Sequence, residues 1–139
     1  MQAYRHIELA GATDVMPARA RALTADHGGR AYATLDEMLA DPGVDLVVNL
    51  TIHHAHPAVI TQCLEAGKPV HSEKPLAMNC AEAKQLVDLA AARGLRLSCS
   101  PITFMGEAQQ TAWKTIRSGE LGQVRVVYCE VNWGRIESW

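Results

Sequence analysis

The run Val44-Asp45-Leu46-Val47-Val48-Asn49-Leu50 constrains the fold more than any other stretch of this sequence. It is short, rich in β-branched residues and preceded by an Asp41-Pro42-Gly43 turn, and such a run suits a strand covered on both faces, as in a parallel sheet. A helix is expected next, from Pro57 to Ala66, because proline fits the first helical turn and Gly67 can take the left-handed conformation that ends it. Val59, Ile60, Cys63 and Leu64 make its inner face. Lys68 to Ser72 reads as a second strand. Asn79 then opens a helix with Glu82 three residues on, a capping-box arrangement. Ala83, Leu86, Val87 and Ala90 recur at helical spacing, Gly94 closes the helix, and Leu95 to Cys99 is a third strand.

The same alternation extends both ways. Ile7 to Thr13 reads as a strand, Pro17 to His27 as a helix stopped by Gly28-Gly29, and Thr34 with Glu37 frames a short helix bearing Leu35, Met38 and Leu39. Phe104 to Ser118 is expected to be helical, and Val124 to Trp133 to be a longer strand. Strands alternating with helices predict an α/β fold with a doubly wound parallel sheet. The last strand carries Arg125, Glu130 and Asn132, so it is expected to be buried on one side only and to start a second, open-faced sheet. The expected boundary falls between a domain of residues 1–122 and the beginning of another at 123–139.

Charge excludes some partners. A formal net charge of −2 gives no electrostatic reason to expect nucleic acid or an anionic membrane, and no apolar run approaches the length of a bilayer span. The first residues lack the apolar core of a signal peptide, so the cytoplasm is the expected location. Cys63, Cys80, Cys99 and Cys129 form no C-x-x-C pair and are expected to be buried free thiols. His53, His54, His56 and His71 invite a zinc reading, but no acidic or cysteine ligand is fixed beside them by sequence, and no metal site is expected.

In an open parallel sheet the ligand sits outside the carboxyl ends of the strands. Four positions qualify: Asp14, the Thr51 to His56 segment, the Ser72 to Pro75 segment, and Ser100-Pro101. Asp14 stands where a carboxylate accepts hydrogen bonds from adenosine ribose hydroxyls and repels a 2′-phosphate, favouring NAD over NADP, with Arg19 and Arg21 near enough in sequence to keep NADP open. An ordinary helix-capping aspartate is the alternative. Lys74 could hydrogen-bond a substrate hydroxyl and assist its proton transfer while hydride leaves the same carbon. Taken alone, by sequence position, it reads as a surface lysine beside a turn.

The run Leu64-Glu65-Ala66-Gly67-Lys68-Pro69-Val70-His71-Ser72-Glu73-Lys74-Pro75-Leu76-Ala77 resembles the signature stretch of the glucose-fructose oxidoreductase, inositol dehydrogenase and rhizopine-catabolism (Gfo/Idh/MocA) family. Further matches run from Thr34 to Val48 and from Ser118 to Val124, so the likeness spans nearly the whole chain. It implies a Rossmann-like domain followed by an open-faced α/β domain, with nicotinamide between them. It implies that Lys74 is catalytic, that the Lys74-Pro75 bond is cis, and that Glu73 and Pro75 help shape the cofactor pocket. Thr51 and His56 match a threonine and a histidine of the family and are implied to be cofactor-binding with Glu73, Lys74 and Pro75, Thr51 contacting the cofactor and His56 beginning the following helix. NAD is the implied cofactor, NADP being possible, and the implied substrate is a sugar, cyclitol or related polyol. Such enzymes are expected to be homo-oligomers when complete.

The chain also departs from the family pattern. The opening strand and its Gly-x-Gly-x-x-Gly turn are absent from the sequence, Ile52 stands where proline is common, and Ser100 to Phe104 lacks an arginine frequent there. The aspartate and histidine that members carry in the second domain are also absent. On this reading the first β-α unit is missing and the 139 residues alone neither hold NAD saturably nor turn over substrate. A non-catalytic dinucleotide-binding or interaction module on a degenerate scaffold is the alternative.

Overall fold

A computed structural model describes residues 6–100 and 104–130 of the chain. They divide into two compact units, separated between residues 101 and 102. The first contains β1 (Gly11–Ala12), α1 (Pro17–His27), β2 (Arg30–Ala31), α2 (Leu35–Ala40), β3 (Val47–Asn49), a single 3₁₀ turn (His53–Ala55), α3 (His56–Glu65), β4 (Val70–Ser72), α4 (Cys80–Ala92) and β5 (Leu97–Cys99).

All described strand pairs are parallel, as the alternation of strands and helices predicts, but the sheet comes in two pieces. β1 pairs with β2, and β3, β4 and β5 pair in that order, with Val48 opposite His71 and His71 opposite Ser98. The expected Ile7 to Thr13 strand shrinks to the β1 ladder. Gly11 is required there, because a Cβ would collide with the Arg30 carbonyl and the Tyr32 ring.

Local signals set the helix ends. Thr34 Oγ1 accepts from Glu37 N at 3.1 Å and Asn79 Oδ1 accepts from Glu82 N at 2.9 Å, so both expected N-caps form. Satisfying such end donors is worth about 1 kcal/mol each. α3 leads into the turn at Gly67, where Lys68 N reaches back to Cys63 O. Ile60, Cys63 and Leu64 are fully buried with Val47, Val70, Leu86 and Ala90 in one core. Each large aliphatic buried this way contributes about 1.5–3 kcal/mol.

Two expectations about faces need correction. β3 is covered by α3 on the side of Val47 and Asn49, whereas Val48 on the opposite face is 48% exposed, so the strand is not buried on both sides. On α4 the inner face is Leu86 and Ala90 flanked by Leu89, and Val87 turns outward. One residue advances a helix by about 100°, which puts Val87 on the flank of a stripe centred between Leu86 and Ala90. The cysteines also differ from expectation: Cys63 is buried, Cys99 half-buried, and Cys80 and Cys129 exposed. Cys80 opens the first turn of α4 on its outer side. Burial pushes the Cys63 thiol up to about 11.

The second unit contains α5 (Glu107–Ser118). It starts later than Phe104 because Gly106 is extended and serves as its N-cap, and it ends on Gly119 at φ 80°. The Arg117 guanidinium lies over the Trp113 ring. Residues 124–129, expected to begin a strand, form no strand among the described residues, and Val127 is exposed. Val131, Asn132, Trp133 and Trp139 lie outside the described residues, as does Pro101. No helix among the described residues is long and apolar enough to cross a membrane.

Candidate functional site

The carboxyl ends of β3, β4 and β5 deliver three loops to one edge of the sheet, and backbone hydrogen bonds continue past the strands to hold them in step. Glu73 N donates to Asn49 O at 2.9 Å, and Ser100 N donates to Ser72 O at 2.9 Å. The loop after β3 is folded onto Asn49, whose Oδ1 accepts from Thr51 N at 3.2 Å and from Thr51 Oγ1 at 2.7 Å. Asn49 Nδ2 donates to Ser72 Oγ at 3.3 Å.

His56 closes the arrangement. Its ring is 1% exposed. Nδ1 lies 2.6 Å from the Pro75 carbonyl oxygen and Nε2 lies 2.9 Å from the Thr51 carbonyl oxygen. With acceptors on both sides, the ring donates through whichever nitrogen carries a proton. His56 was expected among the groups that hold a cofactor, but both of its nitrogens face protein carbonyls.

Lys74 follows β4 and is exposed, and its peptide bond to Pro75 is cis, as the family resemblance implies. Its backbone N donates to Glu73 Oε2 at 2.8 Å. Among the described residues no hydrogen bond or ion pair engages its ammonium, which leaves that group available to an incoming ligand. The Cys99 thiol donates to the Glu73 carbonyl at 3.5 Å. Burial, and next the Glu73 charge, raises that thiol above its ordinary range.

Five of the six residues singled out in the sequence are therefore assembled in one neighbourhood: Thr51, His56, Glu73, Lys74 and Pro75. Asp14 is not bonded to this group. It lies two residues beyond β1, in the other sheet, where Oδ1 accepts from Met16 N at 2.7 Å. That bond makes a local turn, and Met16 rather than Asp14 holds the N-cap position of α1.

Of the two other buried members of the network, Ser72 belongs to the Ser72 to Pro75 segment named from the sequence, whereas Asn49 is not among the residues the sequence picks out. The available signal for Asn49 is a polar residue that ends the apolar pair Val47-Val48 in β3. A further cluster sits on the open face, where His71 Nδ1 is 2.8 Å from Ser98 Oγ and Nε2 is 3.0 Å from Ser100 Oγ. The His53 and His54 rings meet at a 45° tilt with centroids 4.2 Å apart. The four histidines thus have separate partners, and among the described residues no three His, Cys, Asp or Glu side chains converge as metal ligands would.

The edge fits a dinucleotide in its general plan. In an open parallel sheet ligands are held outside the strand carboxyl ends, and here a carboxylate follows β1 and an unengaged cation follows β4. Comparison with known proteins agrees. A family model described as an oxidoreductase family with an NAD-binding Rossmann fold matches residues 1–100. The trans-1,2-dihydrobenzene-1,2-diol dehydrogenase of Macaca fuscata fuscata is 36% identical over 101 residues, covering 73% of this chain and 30% of that protein. Inositol 2-dehydrogenase 1 of Saccharopolyspora erythraea is 33% identical over 120 residues, covering 84% of this chain and 36% of the relative. Among solved structures, the WlbA dehydrogenase from Bordetella pertussis, in complex with NADH and UDP-GlcNAcA, superposes with a TM-score of 0.78 at 30% identity, covering 84% of this chain and 34% of that one. The chain spans about a third of the length of these relatives.

Proposed function

This chain belongs to the Gfo/Idh/MocA family of oxidoreductases with an NAD-binding Rossmann fold, and from that premise we propose that it serves hydride transfer between nicotinamide and a secondary alcohol of a sugar, cyclitol or related polyol. The observation that carries the proposal is the exposed Lys74, its ammonium unengaged among the described residues, held after β4 at the carboxyl end of a parallel sheet. Bound nicotinamide supplies the hydride acceptor. In its neutral amine form Lys74 Nζ accepts the substrate hydroxyl proton as the carbon loses hydride, so alcohol becomes carbonyl and the amine becomes ammonium; in the reverse direction the ammonium hydrogen-bonds the carbonyl oxygen and gives the proton back as hydride arrives.

Thr51 contacts the cofactor from the loop after β3, and Glu73 and Pro75 shape the pocket beside it. The Asp14 carboxylate, one oxygen of which is engaged by Met16 N, offers the other to the adenosine ribose, which favours NAD over NADP. The known activities of the two dehydrogenase relatives, on a dihydrodiol and on inositol, support a hydroxylated small molecule as substrate.

Steady-state kinetics on the full protein, with parallel NADH titration, test the role of Lys74. Lys74→Ala is expected to lower the rate by about 10²- to 10⁴-fold, the usual worth of a positioned acid–base group, while NADH affinity changes far less. Turnover near the parent level would remove Lys74 from the chemistry.

A further inference from the structure

Among the described residues, the buried polar side chains are Asn49, His56 and Ser72. Burying such groups costs free energy unless their hydrogen bonds are made. A core of apolar residues would have sealed these strand ends at lower cost, so the position of the three needs a reason. They stand together at the ends of β3 and β4 and the start of α3.

Their bonds form a loop around one residue. Starting from Asn49, the side chain holds Thr51, the Thr51 carbonyl meets His56 Nε2, and His56 Nδ1 meets the Pro75 carbonyl. The backbone then returns from Pro75 through Lys74 to Glu73, whose N donates to the Asn49 carbonyl. Lys74 is thus the residue between two anchors, one on each side. The imidazole is planar and rigid, so it fixes the separation between the Thr51 and Pro75 carbonyls in a way that a flexible side chain does not. It reaches no solvent with which to touch a ligand.

We infer that His56 is a positioning residue for Lys74: lodged between the Pro75 and Thr51 carbonyls and donating to the one that faces its N–H, its rigid ring sets the direction of the lysine relative to the loop carrying Thr51. The inference rests on the reading of Lys74 given above. A misplacement of about 1 Å in a reacting group can cost on the order of 100-fold in rate, which is the scale available to such a device.

The two arms can be tested separately, because asparagine places its amide nitrogen near the position of His Nδ1 and glutamine near that of Nε2. His56→Asn therefore keeps a donor toward Pro75, His56→Gln keeps one toward Thr51, and His56→Ala keeps neither. In the full protein, His56→Ala is expected to lower kcat by about 10- to 100-fold with a smaller change in KM for the nicotinamide cofactor. His56→Asn should recover most of that loss and His56→Gln less. The second readout is independent of turnover: the amide resonances of Lys74 and Leu76 should move in His56→Gln and return toward parent positions in His56→Asn. Should His56→Ala fail to fold, that Asn-against-Gln comparison carries the test.

Amide positions that are unaffected by all the variants would overturn the inference. So would a kcat per folded molecule that stays at the parent value while only stability falls. Failure of the Lys74 reading looks different: Lys74→Ala would retain activity while the amide pattern still followed the His56 variants.

Discussion

Replacing Asn49 by alanine isolates the energetic cost of the network at the site. The side chain is 2% exposed and makes three hydrogen bonds, two from Thr51 and one to Ser72. They are not equivalent. Thr51 is exposed, so its N and Oγ1 can turn to water when Asn49 is shortened, and the net loss there is about 1 kcal/mol in all. Ser72 is fully buried, and loss of its Asn49 partner strands a hydroxyl at a cost of about 1–3 kcal/mol. The Asn49–Ser72 distance of 3.3 Å is at the long end for a hydrogen bond, which favours the lower part of that range. Asn49→Ala is therefore expected to destabilise the protein by about 2–3 kcal/mol. Urea unfolding followed by circular dichroism measures it as a lower midpoint at unchanged slope. The discriminating experiment adds Ser72→Ala. Once that hydroxyl is gone nothing is stranded, so the double variant should be more stable than the sum of the singles predicts, by about 1 kcal/mol. Additivity to within about 0.3–0.5 kcal/mol would refute the coupling through this bond and, with it, the view of the buried polar groups as one unit.

Other outcomes follow from single residues. Asp14→Ala is expected to narrow the preference for NAD over NADP by on the order of 10-fold or more, since a charge-assisted hydrogen bond is worth about 1.5–3 kcal/mol; the ratio of kcat/KM for the two cofactors measures it, and an unchanged ratio places selectivity elsewhere. Asp41 is held below the ordinary carboxylate range, first by Gly43 N at 2.7 Å and then by the Tyr32 hydroxyl at 2.8 Å. A carboxyl whose folded value is depressed adds stability that is present above its unfolded value of about 4 and is lost as pH falls through the folded one. Asp41→Asn should therefore flatten the acid limb of a stability profile below about pH 4, and an unaltered limb would show that the two donors do not favour the ionised form.

What the sequence discloses here follows from how far each interaction reaches along the chain. The caps at Thr34 and Asn79 and the turn at Gly67 act over three to five residues, and each formed where the residues imply. The parallel strands were legible for the same reason, because a short apolar run and the helix behind it are contiguous. Whether β3 is buried on both faces depends on what lies against it, and nothing inside Val44 to Leu50 encodes that. The spacing of Val87 from Ala83 and Ala90 suits the inner face as well as that of Leu89, and only the packing partner decides between them.

The site was legible in its residues but not in their roles. Lys74 and Thr51 stood out by family resemblance, yet the partner of His56 lies 19 residues away and is a backbone carbonyl, which no side-chain pattern announces. Asn49 and Ser72 are the instructive case. An amide near the end of a buried apolar run must find a partner at its own level in the sheet, because leaving it unpaired costs more than the bond returns. β4 also ends in a polar residue, and the parallel register sets Ser72 opposite Asn49. Matching polar ends on successive strands therefore carry information that hydrophobic periodicity discards. They mark where one strand's loop is fastened to the next, which in a parallel sheet is the edge where ligands are held.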